Sequence, residues 1–348
     1  MLLDPATLEP APRASEVLTW LDGDRHFKLE LPASQIEIIT QPQTNVLEAG
    51  AAVMASRREL AARADGRIRF AGAGVSPLGS GTGELNTEGQ YEHTVREYGP
   101  IARRQLVCAL QVHVAVPGAD RALAVYNNAR TYLPWLAALS ANAAFYEGRD
   151  TGLASVRHKI SELLPRHGIP PAFESWEQCA DALRWGARSA TFPPNAWWWE
   201  LRAHPQFGTL EFRVPDSQST VTEAVAIAAV IHALVVWLAG RYDAGEPLPV
   251  ADTWRLEENR WSACRHGVEG EMVDPHTGAR SKTRDGLTQL LKALAEIAAP
   301  LGAARAIDHA AAMVRVNGAI VQRRVADNGG AYAVARWLAE RFLEPWSG

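Results

Sequence analysis

The stretch that most constrains the fold of this chain is residues 106–116, LVCALQVHVAV, an apolar, β-branched run that carries two polar side chains. Such a run is typical of a β-strand. Because successive side chains of a strand point to opposite faces, Gln111 and His113 share one face. Polar side chains on a buried strand need partners. A metal ion or a polar ligand would satisfy them, and so would a neighbouring backbone carbonyl.

Two further segments have the same division into an apolar and a polar face. One alternates Glu211 and Arg213 with Leu, Phe and Val, and the other places Glu37 between two isoleucines. If the three strands lie in one sheet with these faces aligned, the side chains form a polar floor with His113. Such a floor suits Mg²⁺ or Mn²⁺, and its arginine suits a phosphate or a carboxylate. The alternative is an ordinary antiparallel sheet with one solvated face.

The composition limits the class of protein. The chain has 348 residues, of which 47% are hydrophobic and 21% charged, so it is globular with a sizeable core. Its net charge of −4 indicates neither a broad basic surface for nucleic acid nor a polyanionic tail. Three widely separated cysteines, Cys108, Cys179 and Cys264, form neither a disulfide framework nor a zinc motif. We therefore expect a cytoplasmic protein without a nucleic-acid partner.

No segment predicts export or membrane insertion. The chain reaches Asp4 and Pro5 at once, which does not fit a signal peptide. The longest apolar run, residues 224–240, contains His232 and falls short of the ~20 residues that a membrane span needs. We expect this run to form a buried helix.

The order of the predicted elements indicates an α+β fold. Helices are predicted over residues 45–64, 91–104, 120–144 with a break at Pro134, 176–185, 219–240, 284–298, 302–316 and 330–343. Residues 1–28 are predicted to be irregular, and residues 67–71 to form a short strand. The glycine-rich segment 72–89 is predicted to be a mobile loop or lid. A strand over 197–202 is predicted to form a hairpin with the Glu211 strand. We predict one domain over 1–348, sheet-rich in 1–218 and largely helical in 219–348.

Four groups of motifs, in this order, resemble the glutamate–cysteine ligase type 2 family, also called carboxylate–amine ligases. They are QVHV at 111–114, LSAN at 139–142 with GRDTGLASVR at 148–157, WWELR at 198–202 with GTLEFRVPD at 208–216, and ENRWSACRHG at 258–267. The resemblance covers most of the chain. It implies an antiparallel sheet of the glutamine-synthetase-like type that forms the active-site floor, packed by helices.

The resemblance also implies an activity. ATP would phosphorylate the γ-carboxylate of glutamate, and an amine, nominally cysteine, would attack the acyl phosphate to form an amide. Mg²⁺ (or Mn²⁺) would be the cofactor, and a homodimer is expected by resemblance only. A phosphotransferase that stops at the acyl phosphate is a further alternative.

The resemblance assigns roles to individual residues. It implies metal ligands at Glu37, His113 and Glu211, and catalytic roles for Glu211 and Arg213. It implies substrate or nucleotide contacts at Gln111, Asn142, Arg157, Arg202, Arg260 and Arg265. The structural alternatives are that Arg157 pairs with Asp150 and that Arg202 caps the hairpin.

The chain departs from the family pattern at three places. Gln111 replaces the first histidine of the family pair, and Ala115 replaces a usual glycine. The family's Gly-x-Glu-Glu-Glu strand is expected before Met1, so we predict that the reading frame extends upstream. The alternative is a catalytically impaired homologue that binds nucleotide or amino acid.

Overall fold

The computed structural model describes residues 1–188 and 197–346. Its helices are α1 (Ala14–Thr19), α2 (Val46–Ala64), α3 (Gln90–Tyr98), α4 (Ala119–Ala129), α5 (Leu133–Leu139), α6 (Arg157–Ser161), α7 (Trp176–Arg188), α8 (Val221–Asp243), α9 (Thr253–His266), α10 (Thr283–Ala298), α11 (Ala304–Arg315), α12 (Gly318–Ala326) and α13 (Gly330–Arg341). Its strands are β1 (Leu2–Leu3), β2 (Phe27–Leu29), β3 (Ile36–Ile38), β4 (Arg69–Phe70), β5 (Val112–Ala115), β6 (Phe145–Tyr146), β7 (Arg149–Asp150), β8 (Leu201–His204), β9 (Thr209–Phe212), β10 (Glu271–Val273) and β11 (Arg280–Lys282).

A three-stranded antiparallel sheet with the order β5-β9-β8 carries the polar residues singled out in the sequence. In its register, Glu211 of β9 lies between His113 of β5 and Arg202 of β8. The side chains of the next row, among them Phe212 and Leu201, point to the opposite face and are fully buried. The sheet therefore has one face in the core and one polar face.

Helix α8 is the centre of the main hydrophobic core and contacts α2, α4, α10 and α11. It begins at a capping box, in which the side chains of Thr220 and Glu223 each accept a hydrogen bond from the other residue's backbone N–H. In the described residues it is the one helix long and apolar enough to cross a membrane, and 61% of its most apolar stretch is buried in the protein. A helix that is apolar on most sides is typical of a core helix.

The predicted α+β class is confirmed, as are the buried helix, the hairpin of β8 with β9 and the largely helical C-terminal third. Pro134 breaks the predicted long helix: α4 ends at Ala129, and Pro134 lies in the first turn of α5. The assignment to a single domain stays a prediction.

Two predictions about elements are wrong, some elements lack a predicted counterpart, and the condition for one polar floor is not met. Residues 1–28 are not irregular, because they contain β1, α1 and most of β2. Residues 197–199 precede β8 rather than form part of it. The sequence reading also missed α9, α12 and the β10–β11 hairpin, and β3 does not lie in the central sheet: it pairs with β2 in a separate two-stranded sheet.

Candidate active site

The centre of the polar face is the carboxylate of Glu211, which is almost fully buried. Arg202 donates from Nε to Oε2 over 2.5 Å and from Nη2 to Oε1 over 3.4 Å. Arg213, just after β9, donates from Nη1 to Oε1. Both carboxylate oxygens of Glu211 therefore accept hydrogen bonds from arginines.

The two arginines fix the charge of Glu211. Burial alone would raise the pKa of this carboxyl, but Arg213 and Arg202 outweigh it and lower the pKa to about 2. Glu211 is thus ionised at neutral pH. Since two guanidinium groups share one carboxylate, this face keeps a positive charge that suits an anionic ligand.

His113 lies beside this group on the neighbouring strand. Its Nδ1 is 2.9 Å from Thr209 Oγ1, and its Nε2 is 3.8 Å from Glu211 Oε1. Its ring also contacts His204 and Phe207 edge-on, with centroid distances of 5.4 and 5.6 Å. Burial lowers the pKa of His113, which favours the neutral imidazole at neutral pH.

A buried ion-pair network centred on Glu200 adjoins this face. Glu200 Oε1 accepts from Arg260 Nε over 2.9 Å and lies 2.9 Å from His158 Nδ1. Burial opposes ionisation of Glu200, but Arg260 and His158 hold its pKa well below the usual range. Arg260 also contacts Glu162 and Glu257. It is a buried member of this network, and its predicted nucleotide contact stays a prediction.

A second buried network is centred on Asp216, which follows β9. Its carboxylate accepts hydrogen bonds from Arg157 Nε over 2.6 Å, from the backbone N–H of Asn142 over 2.8 Å and from Ser155 Oγ over 3.0 Å. A Cβ atom at Gly74 would lie 2.7 Å from Asp216 Cγ. Only glycine at this position therefore lets the start of the glycine-rich loop approach Asp216 so closely. This part of the loop, residues 72–77, is buried rather than a mobile lid.

Asn142 and Arg157 are both engaged in this network, and their predicted ligand contacts stay predictions. Asn142 is fully buried, and its Nδ2 donates to the carbonyl of Ser217 over 2.9 Å while its Oδ1 accepts from Gln322. The predicted alternative partner of Arg157 was Asp150, and this is wrong. Asp150 pairs instead with Arg323, between Oδ2 and Nε over 2.9 Å.

The remaining predicted residues lie around the edge of this site. Gln111 directly precedes β5 and is half-buried, without a side-chain hydrogen bond to the described residues. Arg265 is exposed and donates to the carbonyl of Gly152. Glu37 pairs with Lys28 across the β2–β3 pair, with 3.0 Å between Oε2 and Nζ. The three predicted strands therefore do not form one continuous floor.

The predicted metal ligands do not form an assembled metal centre. Within residues 1–188 and 197–346, no three His, Cys, Asp or Glu side chains are arranged to hold a metal ion. Glu211 is occupied by Arg202 and Arg213, and Glu37 by Lys28. A resident Mg²⁺ does not fit this donor set as it stands, and the metal roles of Glu37, His113 and Glu211 stay a prediction.

Two titratable residues near the site were missed in the sequence. Burial and the neighbouring Glu37 raise the pKa of Glu30 to about 7, although Arg213 acts in the opposite direction. His167 stacks on Trp198 with a centroid distance of 5.5 Å, and burial together with Arg213 lowers its pKa to about 3. Both residues stand alone in irregular segments, so no spacing or alternation could have indicated them.

Comparison with solved structures places this fold in a known class. The chain is similar to glutamate–cysteine ligase from Francisella tularensis in complex with AMP, with a TM-score of 0.73 and 10% identity over 99% of this chain and 87% of that one. A bifunctional glutathione synthetase from Pasteurella multocida gives a TM-score of 0.65 and 14% identity over 92% of this chain and 48% of that one. The chain therefore shares its fold with these two enzymes.

The sequence comparisons define the family. The profile of glutamate-cysteine ligase family 2 matches residues 1–336. A relative from Rubrobacter xylanophilus, provisionally named glutamate–cysteine ligase 2-3, is 36% identical over 97% of this chain and 94% of its own length. A relative from Gloeobacter violaceus, provisionally named glutamate–cysteine ligase 2, is 33% identical over 93% of this chain and 89% of its own length. The chain belongs to glutamate–cysteine ligase family 2, which confirms the predicted resemblance.

Proposed function

We propose that this ligase joins the γ-carboxylate of glutamate to an amine, nominally cysteine, through an acyl phosphate. The γ-carboxylate takes the terminal phosphoryl group of ATP and ADP leaves. The amine nitrogen then forms a bond to the acyl carbon, the carbon–oxygen bond to phosphate breaks with its electron pair on oxygen, and the nitrogen loses a proton to water. Phosphorylation is needed because a free carboxylate would have to expel oxide.

The observation that carries this proposal is the pair of arginines around Glu211. Arg213 uses only Nη1 in hydrogen bonds to the described residues, so most of its five N–H donors are available to a ligand. Its side chain is 19% exposed, which lets an anion reach it from the polar face. A guanidinium in this position can bind the transferring phosphoryl group or the substrate carboxylate and stabilise the charge that develops there.

Mg²⁺ (or Mn²⁺) is expected to be required for turnover, as for most phosphoryl transfer from ATP. The described side chains do not hold such an ion on their own, so we propose that the cation comes bound to the nucleotide. When bound, it would neutralise charge on the phosphates. The protein side chains would orient the glutamate and bind its charged groups.

The test combines two readouts on the purified full chain with ATP, Mg²⁺ and glutamate. Phosphate release should depend on an added amine, and hydroxylamine should trap the acyl phosphate as a γ-glutamyl hydroxamate. Glu211→Gln should reduce both by about 100-fold or more, because it removes the carboxylate that orients Arg202 and Arg213. Absence of both products with the wild-type chain would refute the proposal. Hydroxamate without any other amide would favour the phosphotransferase.

A second candidate function is favoured by the pairing of Glu211, because both of its carboxylate oxygens already bind arginines. A homologue of this kind would bind nucleotide or amino acid without turnover. It would show thermal stabilisation by ATP or glutamate and no phosphate release. Any amide product excludes this alternative.

The setting proposed for this activity is the cytoplasm. The composition supports it, with a net charge of −4 and three free cysteines. We propose small-molecule substrates only, without nucleic acid or a membrane as partner. A homodimer remains an expectation from the family, to be tested by light scattering of the purified protein.

A further inference from the structure

A cavity of about 650 Å³ opens beside the candidate active site, between α4, α7 and the β8–β9 hairpin. Its walls are mainly apolar and aromatic, with Tyr126, Phe173, Trp176, Trp197 and Trp199 among them. A volume of this size is in the range of sites that enclose drug-sized ligands. It is far larger than the side chain of cysteine, a methylene and a thiol, would fill.

The cavity joins the polar face through residues that belong to both. Arg202, which donates to Glu211, lines the cavity, and so do Thr209 and His204 of the same face. Along β8 and β9, the alternate residues Ala203 and Leu210 line it as well, so the cavity passes around strand β8 from the polar to the apolar side. A ligand can therefore have its reacting end near Glu211 and its body in the cavity.

Unsatisfied polar atoms support a ligand site here. Trp197 Nε1, Trp176 Nε1 and His204 Nδ1 are buried without a hydrogen-bond partner among the described residues, and all three residues line the cavity. Trp197 is 7% exposed. Buried polar groups without partners are uncommon in folded proteins, which points to an occupant of this cavity but does not by itself select an apolar one.

The charges of the lining limit what can enter. Arg202 is the one charged side chain among the described lining residues, and it is already paired with Glu211. None of these lining residues carries a carboxylate, so an ammonium group finds no counter-charge inside. Phosphates would likewise find no free cation there. The chemistry favours an uncharged, apolar occupant whose polar end stays at the mouth beside Glu211.

We propose that this cavity receives the apolar body of the amine acceptor, so that the preferred acceptor is a primary amine with a large apolar or aromatic group rather than cysteine. The proposal rests on the proposed ligase function and specifies its substrate. The amine nitrogen would lie at the mouth, next to Arg202 and His204.

The experiment compares phenethylamine with cysteine and methylamine as acceptors in the amide assay. We expect kcat/KM for phenethylamine to exceed that for cysteine by about tenfold, because burial of the ring provides binding that a thiol cannot. Ala122 of α4 lines the cavity, and Ala122→Phe should fill part of it. This variant should reduce kcat/KM for phenethylamine by about tenfold and change that for methylamine less than about twofold.

The matched control is Ala124→Phe on the same helix. Ala124 does not line the proposed cavity but lines a neighbouring one, which shares Leu123 and Trp176 with it, so this variant should leave both amines unaffected. Leu183→Phe, on α7, fills the proposed cavity from the opposite wall and should act like Ala122→Phe if the latter folds poorly. Equal effects of the filling variants on both amines would overturn the proposal. So would a preference for cysteine.

Three further outcomes distinguish a failure of this inference from a failure of the proposed ligase function. A raised KM for ATP with unchanged use of phenethylamine in Ala122→Phe would assign the cavity to the nucleobase and overturn the proposal. A hydroxamate and a cysteine amide without a phenethylamide would overturn this inference and leave the ligase function standing. Neither hydroxamate nor amide would overturn both.

Discussion

Asp216 is completely buried, and its charge is compensated by Arg157. We expect Asp216→Asn to lower the free energy of unfolding by about 3 kcal/mol, because it leaves the buried guanidinium without a counter-charge. Urea denaturation measures this. Asp150→Asn, which breaks the exposed pair with Arg323, is the control and should cost less than about 1 kcal/mol. Equal losses in both variants would contradict a buried network at Asp216.

Glu30 should make the stability of the protein depend on pH. Its pKa is raised from an ordinary 4.5 to about 7, first by burial and then by Glu37. Between these values the native state binds more protons than the unfolded state, so the free energy of unfolding falls as the pH rises through this window. The loss is complete above about pH 7.

The variant Glu30→Gln should remove this dependence. We expect it to be more stable than the wild type at pH 8, by up to about 3 kcal/mol, and similar to it at pH 4. The measurement is the urea midpoint at the two pH values, with exposed Glu88→Gln as the control. An identical pH profile in wild type and variant would remove Glu30 as the source.

The sequence patterns predict which residues come together at the site more accurately than they predict the role of each residue. Alternation along the strands placed His113, Glu211 and Arg213 on one face, and the structure agrees. Asn142 and Arg157 lie in equally specific motifs, yet the Arg157 side chain pairs with Asp216 and the Asn142 side chain bonds to Ser217 and Gln322. A motif gives residue type and spacing, and only tertiary contacts determine whether a buried polar group meets a ligand or another side chain.

Helix α8 depends on its N-terminal cap as well as on its apolar faces. Thr220 Oγ1 accepts from the backbone N–H of Glu223 over 3.1 Å, and Glu223 also pairs with Arg341 of α13. Thr220→Ala should therefore reduce the free energy of unfolding by about 1 kcal/mol. Chemical denaturation measures it. Asn45→Ala at the cap of α2 should give a loss of similar size, and no loss in either variant would contradict the capping geometry.

Elements with a clear periodicity could be predicted, and elements without it could not. The apolar run of α8 and the alternation in β9 identify their type directly. The sequence of helix α9, TWRLEENRWSACRH, is highly charged and overlaps a motif. It therefore has no apolar periodicity from which a helix could be predicted. The strand β11, RSK, is exposed throughout and has no apolar face to identify it. Strand β3 was recognised, but alternation does not specify the neighbour with which a strand pairs.

For the whole protein, ligand binding should appear as added stability. If ATP and glutamate bind the native state only, ATP at about 100 times its Kd adds about 2.7 kcal/mol to the free energy of unfolding. We expect a rise in Tm of a few degrees with ATP and Mg²⁺, measured by scanning fluorimetry. Arg213→Ala should lose most of this rise. A full rise in that variant would place the nucleotide phosphates away from the polar face.

The global fold was accessible from the ordered motifs, whereas the packing of the chain against itself was not. The motifs implied the family, and the family profile over residues 1–336 confirms this. The cavity between α4, α7 and the β8–β9 hairpin has no sequence signature, because its walls come from segments far apart in the chain. Its existence depends on how the helices pack on the sheet.

The position of Asp216 has a consequence for the order of folding. Its three donors are 59, 61 and 74 residues away along the chain, so the network can form only after long loops have closed. We therefore expect contacts of this kind to form after the transition state. The lifetime of the native state should then depend on Asp216 more than the speed of refolding does, and loss of this carboxylate would mainly accelerate unfolding.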